Sequence, residues 1–223
     1  MTKRAMIVVA GGSGKRMASS IPKQFLDLAG KSILFNTLSS LAAFDPEMLL
    51  VVVLPEPELI RKKDLEHISS RMIFCAGGST RFHSVKNGLE HCREMDLIGI
   101  HDGVRPFVSH ETVNAAFSSA EERGSGIPFL PVKQSLRWKE GSNNRALNRA
   151  NVVSIQTPQC FRASQLFAAF EQEYDELFTD DANVVEHSGE PVFLIEGNPE
   201  NIKITTPLDL VLARDLIEKG WKV

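Results

Sequence analysis

The chain has 223 residues, 43% of them hydrophobic and 24% charged, with a formal net charge of −3. That is enough to bury one substantial core, so a single domain spanning 1–223 is expected. No long basic run exists, which excludes sequence-independent binding to nucleic acid and leaves any anion site to a few local cations.

Cys75, Cys92 and Cys160 are far apart and odd in number, with no CxxC pair or Cys/His ligand spacing. Reduced cysteines in a cytoplasmic protein fit that usage better than a disulfide framework or a structural zinc site. The opening "MTKRAMIVVAGG" carries an apolar run that ends in glycine at once. It is too short for a signal-peptide core or a membrane span and reads as a first core strand.

In chain order, "AMIVVA" is a continuous apolar run suited to a strand covered on both faces. In "SILFNTLSSLAAF", Ile33, Leu34, Leu38, Leu41 and Ala42 fall on one side of a helix. "MLLVVVLPE" is a second buried strand closed by Pro55, and the charged stretch from Glu56 to Ile68 is read as helical. "RMIFCAGG" is a third strand. A helix capped by Ser79 or Thr80 follows, with Phe82, Val85, Leu89 and Cys92 at three- and four-residue steps. "DLIGIHDG" is a fourth strand, then a helix starts at a Ser109 cap and stops at Gly124, and "SGIPFLPV" is a fifth strand.

From Lys133 to Asn151 the pattern breaks into a polar stretch with little apolar periodicity, read as a projecting arm over 133–151. Beyond it "VVSIQTPQCF" resumes extended structure, "SQLFAAFEQEYDELF" and "DDANVVEHSG" read as helices, and "PVFLIEG" reads as a strand. "TPLDLVLARDLIEKG" is a closing amphipathic helix with Pro207 near its start. The alternation predicts an α/β fold: a mostly parallel, Rossmann-like sheet with helices on both faces and a projecting arm. Ligands bind at the carboxyl ends of such strands. The polar and glycine-rich segments Gly11 to Arg16, Gly77 to Ser84 and Asp102 to Arg105 sit there.

"VVAGGSGKRMASSIPKQF" follows the first strand with small residues and then Lys15, Arg16 and Lys23. It is not a Walker A loop, because Val9 takes the first glycine position and Arg16 replaces the magnesium-binding hydroxyl. It is not the dinucleotide fingerprint either, because Met17 stands where the third glycine belongs. What remains is a loop whose bare N–H groups face phosphate oxygens, backed by cations, and which points to a nucleoside triphosphate.

"AGGSGKRM" with "PKQF" resembles the signature of sugar- and polyol-phosphate nucleotidylyltransferases. The further segments "GGSTRFHSVKNGL", "HDGVRPF", "TPQCF" and "NIKITTPLDL" narrow the resemblance to the polyol-phosphate cytidylyltransferases, and in order and spacing to the 2-C-methyl-D-erythritol 4-phosphate family of non-mevalonate isoprenoid synthesis. It runs from about residue 5 to 217. The reaction it implies moves CMP from CTP to the polyol phosphate and releases pyrophosphate, with no protein nucleophile. Ribitol 5-phosphate is the alternative acceptor, and a non-catalytic nucleotide sensor is the alternative of another class.

By this resemblance Arg16, Lys23 and Lys203 flank the triphosphate as catalytic cations. Ala10, Gly11, Gly12, Gly14, Gly78, Ser84 and Asp102 form the CTP site, and Asp102 helps hold Mg²⁺. From its own spacing, Ser84 can instead bond back to the preceding turn. Ser135, Arg149, Thr157 and Thr179 are implied to hold the acceptor, while Arg105 reads as either structural or acceptor-facing. The resemblance further implies a homodimer joined by the arms, each Arg149 serving the partner's site. The chain departs from the family pattern at Gln134, Asn148 and Gly103-Val104, mainly around the acceptor.

Overall fold

The structure is a computed structural model that describes residues 2–12, 17 and 21–221. In chain order it forms β1 (Arg4–Val9), a small β2 (Asp27–Leu28) and β3 (Lys31–Ser32) pair, α1 (Ile33–Phe44), β4 (Leu49–Leu54), β5 (Met72–Ala76), α2 (Arg81–Leu89), β6 (Leu97–Asp102), α3 (His110–Arg123) and β7 (Ser125–Pro131). Then follow β8 (Leu136–Glu140), β9 (Asn143–Leu147), β10 (Val153–Ile155), β11 (Gln159–Arg162), α4 (Ala163–Ala169), α5 (Asp181–His187), β12 (Leu194–Glu196) and α6 (Pro207–Glu218).

The main sheet has the order β10-β7-β11-β6-β1-β4-β5, and β12 also pairs with β7. Strands β6, β1, β4 and β5 are mutually parallel. Chain progression runs outward from β1 through β4 to β5 and then jumps back to β6 on the opposite side of β1. The crevice between the ends of β1 and β6 is therefore a topological switch point, the place where an open parallel sheet takes its ligand.

Strict alternation assigns each face. Ala5, Ile7, Leu49, Val51 and Val53 join a core with Val85 and Leu89 of α2, Leu166 of α4 and Val184 of α5. Met6, Val8, Leu50 and Val52 point the other way, onto Leu34, Leu38 and Leu41 of α1 and Val113 and Phe117 of α3. Each such aliphatic side chain, fully removed from water, contributes about 1.5–3 kcal/mol before entropy is counted. A third cluster of Leu28, Ile33, Val104, Phe107, Ile204 and Ala213 seats α6 beside the β2–β3 pair.

The caps follow the sequence. Thr80 accepts from the His83 amide and Ser109 from the Thr112 amide. Gly124 ends α3 at φ 106°, a left-handed value that favours glycine. Thr206 and Asp209 close a capping box at the start of α6, behind Pro207.

The structure revises three expectations. The charged stretch after β4 is helical only as 3₁₀ turns over Glu56–Asp64 and Glu66–Ile68. The helix expected through residue 178 ends at Ala169. Phe170, Tyr174 and Phe178 have helical spacing, yet they gather around Phe82 of α2 without a helix; Phe82 and Phe170 stack with centroids 4.8 Å apart. The parallel run is also interrupted, because β11 inserts antiparallel to both β6 and β7.

Residues 133–151 form a hairpin, β8 paired antiparallel to β9, whose side chains are almost all exposed. Its one aromatic, Trp138, is capped by Arg145 at 5.3 Å.

Candidate active site

The parallel strands stop at one level. The Ala10 amide donates to Val53 O, the Gly77 amide to Leu54 O and the Gly103 amide to Val9 O. Past those bonds the chain turns away from the sheet and leaves a cavity of about 460 Å³. Its floor is Val9, Ala10, Gly11 and Gly12. One wall is Gly77 to Arg81 with Ser84, and Lys23, Asp102 and Lys203 complete the ring. A Cβ on Gly12 would come within 3.1 Å of the Lys23 side chain, so that lysine lies across the floor. Gln24 pins the floor by donating to Ala10 O at 2.7 Å.

The wall is as tight. Ser84 Oγ accepts from the Gly78 amide at 3.1 Å and donates to Thr80 O at 2.9 Å. Ser84 thus bonds back to its own turn and still lines the cavity. A Cβ on Gly78 would lie 2.4 Å from His83 Cβ, so the backbone there approaches the helix as only glycine allows. A Cβ on Gly103 would sit 2.9 Å from that of Ala10, so the chain leaves β1 and β6 in close approach there.

Asp102 ends β6 and is buried. Its Oδ2 accepts from Arg105 Nε at 3.0 Å and pairs with Lys203 Nζ at 3.1 Å. Burial alone would raise its carboxyl pKa, but the charges of Lys203, Arg81 and Arg105 outweigh that and hold it below the usual range. The carboxylate is therefore ionised throughout the physiological range.

The structure brings Ala10, Gly11, Gly12, Lys23, Gly78, Ser84, Asp102 and Lys203 to one cavity. Gly14 and Arg16 lie outside the described residues. Arg105 does not line the cavity: it donates to Asp102 and spends a second donor on Asn201 O at 2.7 Å. Thr157 is buried, its hydroxyl engaged by the Asp102 amide and His101. Thr179, Ser135 and Arg149 are exposed and do not line the cavity of their own chain; Arg149 donates to Lys133 O at 2.7 Å. Sequence reasoning missed Arg81, Thr80 and Glu56 in the lining. For Arg81 a signal existed, namely a cation opening a helix directly after "GGST".

Among the described residues no three His, Cys, Asp or Glu side chains converge into a metal cage. The donor set suits a hard divalent cation only as part of a metal–nucleotide complex, with Asp102 as a carboxylate ligand and phosphate oxygens as the others.

His101 is fully buried and both ring nitrogens are committed. One faces Arg105 O at 3.0 Å, which takes the ring N–H; the other faces the Thr157 hydroxyl at 3.0 Å. Burial pulls its pKa from 6.5 down to about 4. Below pH 6.5 the unfolded chain binds a proton that the native ring refuses, so stability falls as pH drops through that window. Urea unfolding should show the protein about 2 kcal/mol less stable at pH 5 than at pH 7.5 from this group, a difference that His101→Gln largely removes. An unchanged pH dependence in the variant would contradict the assignment.

The model of the family "IspD: 2-C-methyl-D-erythritol 4-phosphate cytidylyltransferase" matches residues 4–219. The chain is 48% identical over 223 residues to the 2-C-methyl-D-erythritol 4-phosphate cytidylyltransferase of Porphyromonas gingivalis ATCC 33277, covering 96% of this chain and 98% of that one. It is 46% identical over 217 residues to the enzyme of the same name from Bacteroides fragilis, covering 96% and 99%. Among solved structures, the 2-C-methyl-D-erythritol 4-phosphate cytidylyltransferase of Thermus thermophilus superposes with a TM-score of 0.79 at 33% identity, covering 98% of this chain and 100% of that one. The 4-diphosphocytidyl-2C-methyl-D-erythritol synthase of Anaerococcus prevotii gives a TM-score of 0.85 at 26% identity, covering 97% and 96%. With a cation-ringed cavity at the switch point and the family pattern running nearly end to end, this chain belongs to the 2-C-methyl-D-erythritol 4-phosphate cytidylyltransferase family.

Proposed function

We propose that the protein transfers CMP from CTP to 2-C-methyl-D-erythritol 4-phosphate, giving 4-diphosphocytidyl-2-C-methyl-D-erythritol and pyrophosphate. The observation that carries the reading is the ring of Lys23, Asp102 and Lys203 around a glycine floor, in a chain matched by the family from residue 4 to 219.

A phosphate oxygen of the acceptor attacks the α-phosphorus in line, and the bond to the bridging oxygen of the β-phosphate breaks as pyrophosphate leaves. The protein's task is positioning and charge neutralisation. The amides of Gly11, Gly12 and Gly14 donate to phosphate oxygens, while Ala10, whose own amide is held by Val53 O, contributes a small side chain to the floor. Gly78 and Ser84 frame a slot for the pyrimidine edge. Lys23, Lys203 and Arg16 meet the charge that develops on the α-phosphate and the departing pyrophosphate. Lys203 rests on Asp102 at 3.1 Å, a contact it can exchange for a phosphate. Mg²⁺, held by Asp102 and the nucleotide phosphates, would supply further neutralisation of the triphosphate.

On the acceptor side we assign Thr157, Thr179 and, from a second subunit, Ser135 and Arg149, the last because a guanidinium grips phosphate bidentately. Arg105 supports Asp102. The exposed β8–β9 hairpin is the natural device for a homodimer with shared sites. No helix among the described residues is long and apolar enough to cross a membrane. The reading places the enzyme in the cytoplasm, in keeping with three free cysteines among the described residues.

Pyrophosphate release is the direct test, with CTP, Mg²⁺ and either methylerythritol phosphate or ribitol 5-phosphate. Turnover with the first supports the reading; turnover with ribitol phosphate alone, or CTP binding without release, overturns it. In the same assay Lys23→Ala should lower kcat about 10²–10³-fold with a smaller effect on CTP affinity, since its charge matters most in the transition state. Equal losses in both would remove that role. Arg149→Ala should raise the acceptor KM and leave CTP binding nearly intact. Dimers mixed from Arg149→Ala and Lys23→Ala subunits should regain activity if the site is shared, and none if each chain works alone.

A further inference from the structure

Arg81 opens α2 on the nucleotide wall of the cavity, immediately after Thr80. Its guanidinium grips Asp181, Nη1 to Oδ1 at 2.7 Å and Nη2 to Oδ2 at 2.6 Å. Asp181 is the first residue of α5, and its side chain is 1% exposed against 30% for Arg81. The preceding residue, Asp180, caps α5 at the Asn183 amide and accepts from Gln159 Nε2 at 2.7 Å, while Gln159 Oε1 accepts from the Ala182 amide at 2.8 Å. Residues 180–182 are therefore clamped from two directions, by α2 and by β11. Thr179 lies directly before the clamp.

A buried ion pair is a poor source of stability, because desolvation cancels most of the attraction. What a bidentate pair supplies is fixed distance and orientation. The stacked rings of Phe82, Phe170 and Phe178 already hold α2 against the same segment, so cohesion here does not require charge. The guanidinium also stands near enough to Asp102 for its charge to act on that carboxylate. Both of the guanidinium's observed bonds go to Asp181.

We propose that the Arg81–Asp181 pair is a strut coupling the nucleotide wall to the acceptor end of the cleft, which makes both of them positioning residues for the transfer. The inference rests on the reading that Thr179 meets the acceptor. Through the strut, the wall that carries Gly78 and Ser84 and the turn that carries Thr179 share one geometry.

Steady-state pyrophosphate release, with each substrate varied in turn, tests it on the intact enzyme. A coupling of ordinary size raises the acceptor KM of Asp181→Asn about tenfold, with the CTP KM changed less than about threefold. Asp181→Glu, which keeps the charge, restores a substantial part. If Asp181→Asn does not fold, the double variant Arg81→Met/Asp181→Leu removes both charges together and carries the same acceptor defect at a melting temperature near the parent's. An equal rise in both KM values, or an unchanged acceptor KM in the folded variants, overturns the strut. Thr179→Ala run in parallel separates the two ideas. A raised acceptor KM in Thr179→Ala with none in the strut variants leaves the reading standing and the strut fallen. An unchanged KM in Thr179→Ala removes the acceptor assignment, and the strut with it.

Discussion

The site is organised around an ionised carboxylate kept out of water. Asp102 is buried at the end of β6, where an unpaired charge would cost several kcal/mol. It is tolerated because Lys203 and Arg105 both reach Oδ2 and because the Arg81 charge lies close by. Arg105 is itself buried and anchored to Asn201 O, so it is a fixed support. Lys203 is the exposed partner, with 42% of its side chain in solvent, and is the one free to follow a ligand. One cation thus makes the carboxylate permanent and the other makes the site responsive. A polyanion entering this cavity meets charges already oriented, and little reorganisation is left for the moment of reaction.

That carboxylate is in place because the sheet puts it there. Val9 of β1 pairs with Asp102 of β6 across the switch point, so the glycine floor and the carboxylate leave the sheet side by side. The alternating residues of β1 and β4 fill two separate cores, which fixes the register: a slip by one residue would exchange them. Behind Asp102, its own amide donates to the Thr157 hydroxyl, and the His101 ring is bonded at both nitrogens, which carries the polar network into the interior. Packing of the sheet and placement of the chemistry are one problem here.

The central strands and their helices are legible in the sequence because β1 and β4 are unbroken apolar runs and because Thr80, Ser109, Gly124 and Pro207 punctuate the helices in recognised ways. Lys23, Asp102 and Lys203 are legible as members of ordered motifs, each at a strand end or a turn. Other features depend on contacts that no local pattern carries. Arg81 and Asp181 are 100 positions apart, and nothing near either names the other. The insertion of β11 between β6 and β7 is a choice of partner strand, which periodicity does not encode. Phe170, Tyr174 and Phe178 imitate a helix because four-residue spacing also suits three rings closing on one neighbour, Phe82. The residues around Arg105 allow two roles for it, and no local pattern foretells its bonds to Asp102 and Asn201.

The most direct test of the account is a crystal structure of the protein with CTP and magnesium. It should show the triphosphate over Gly11 and Gly12 with the Lys23 and Lys203 amines at about 2.7–3.0 Å from phosphate oxygens, and the cytosine against Gly78 and Ser84. A triphosphate bound elsewhere, or Lys203 still closed on Asp102 beneath an empty glycine floor, would contradict it.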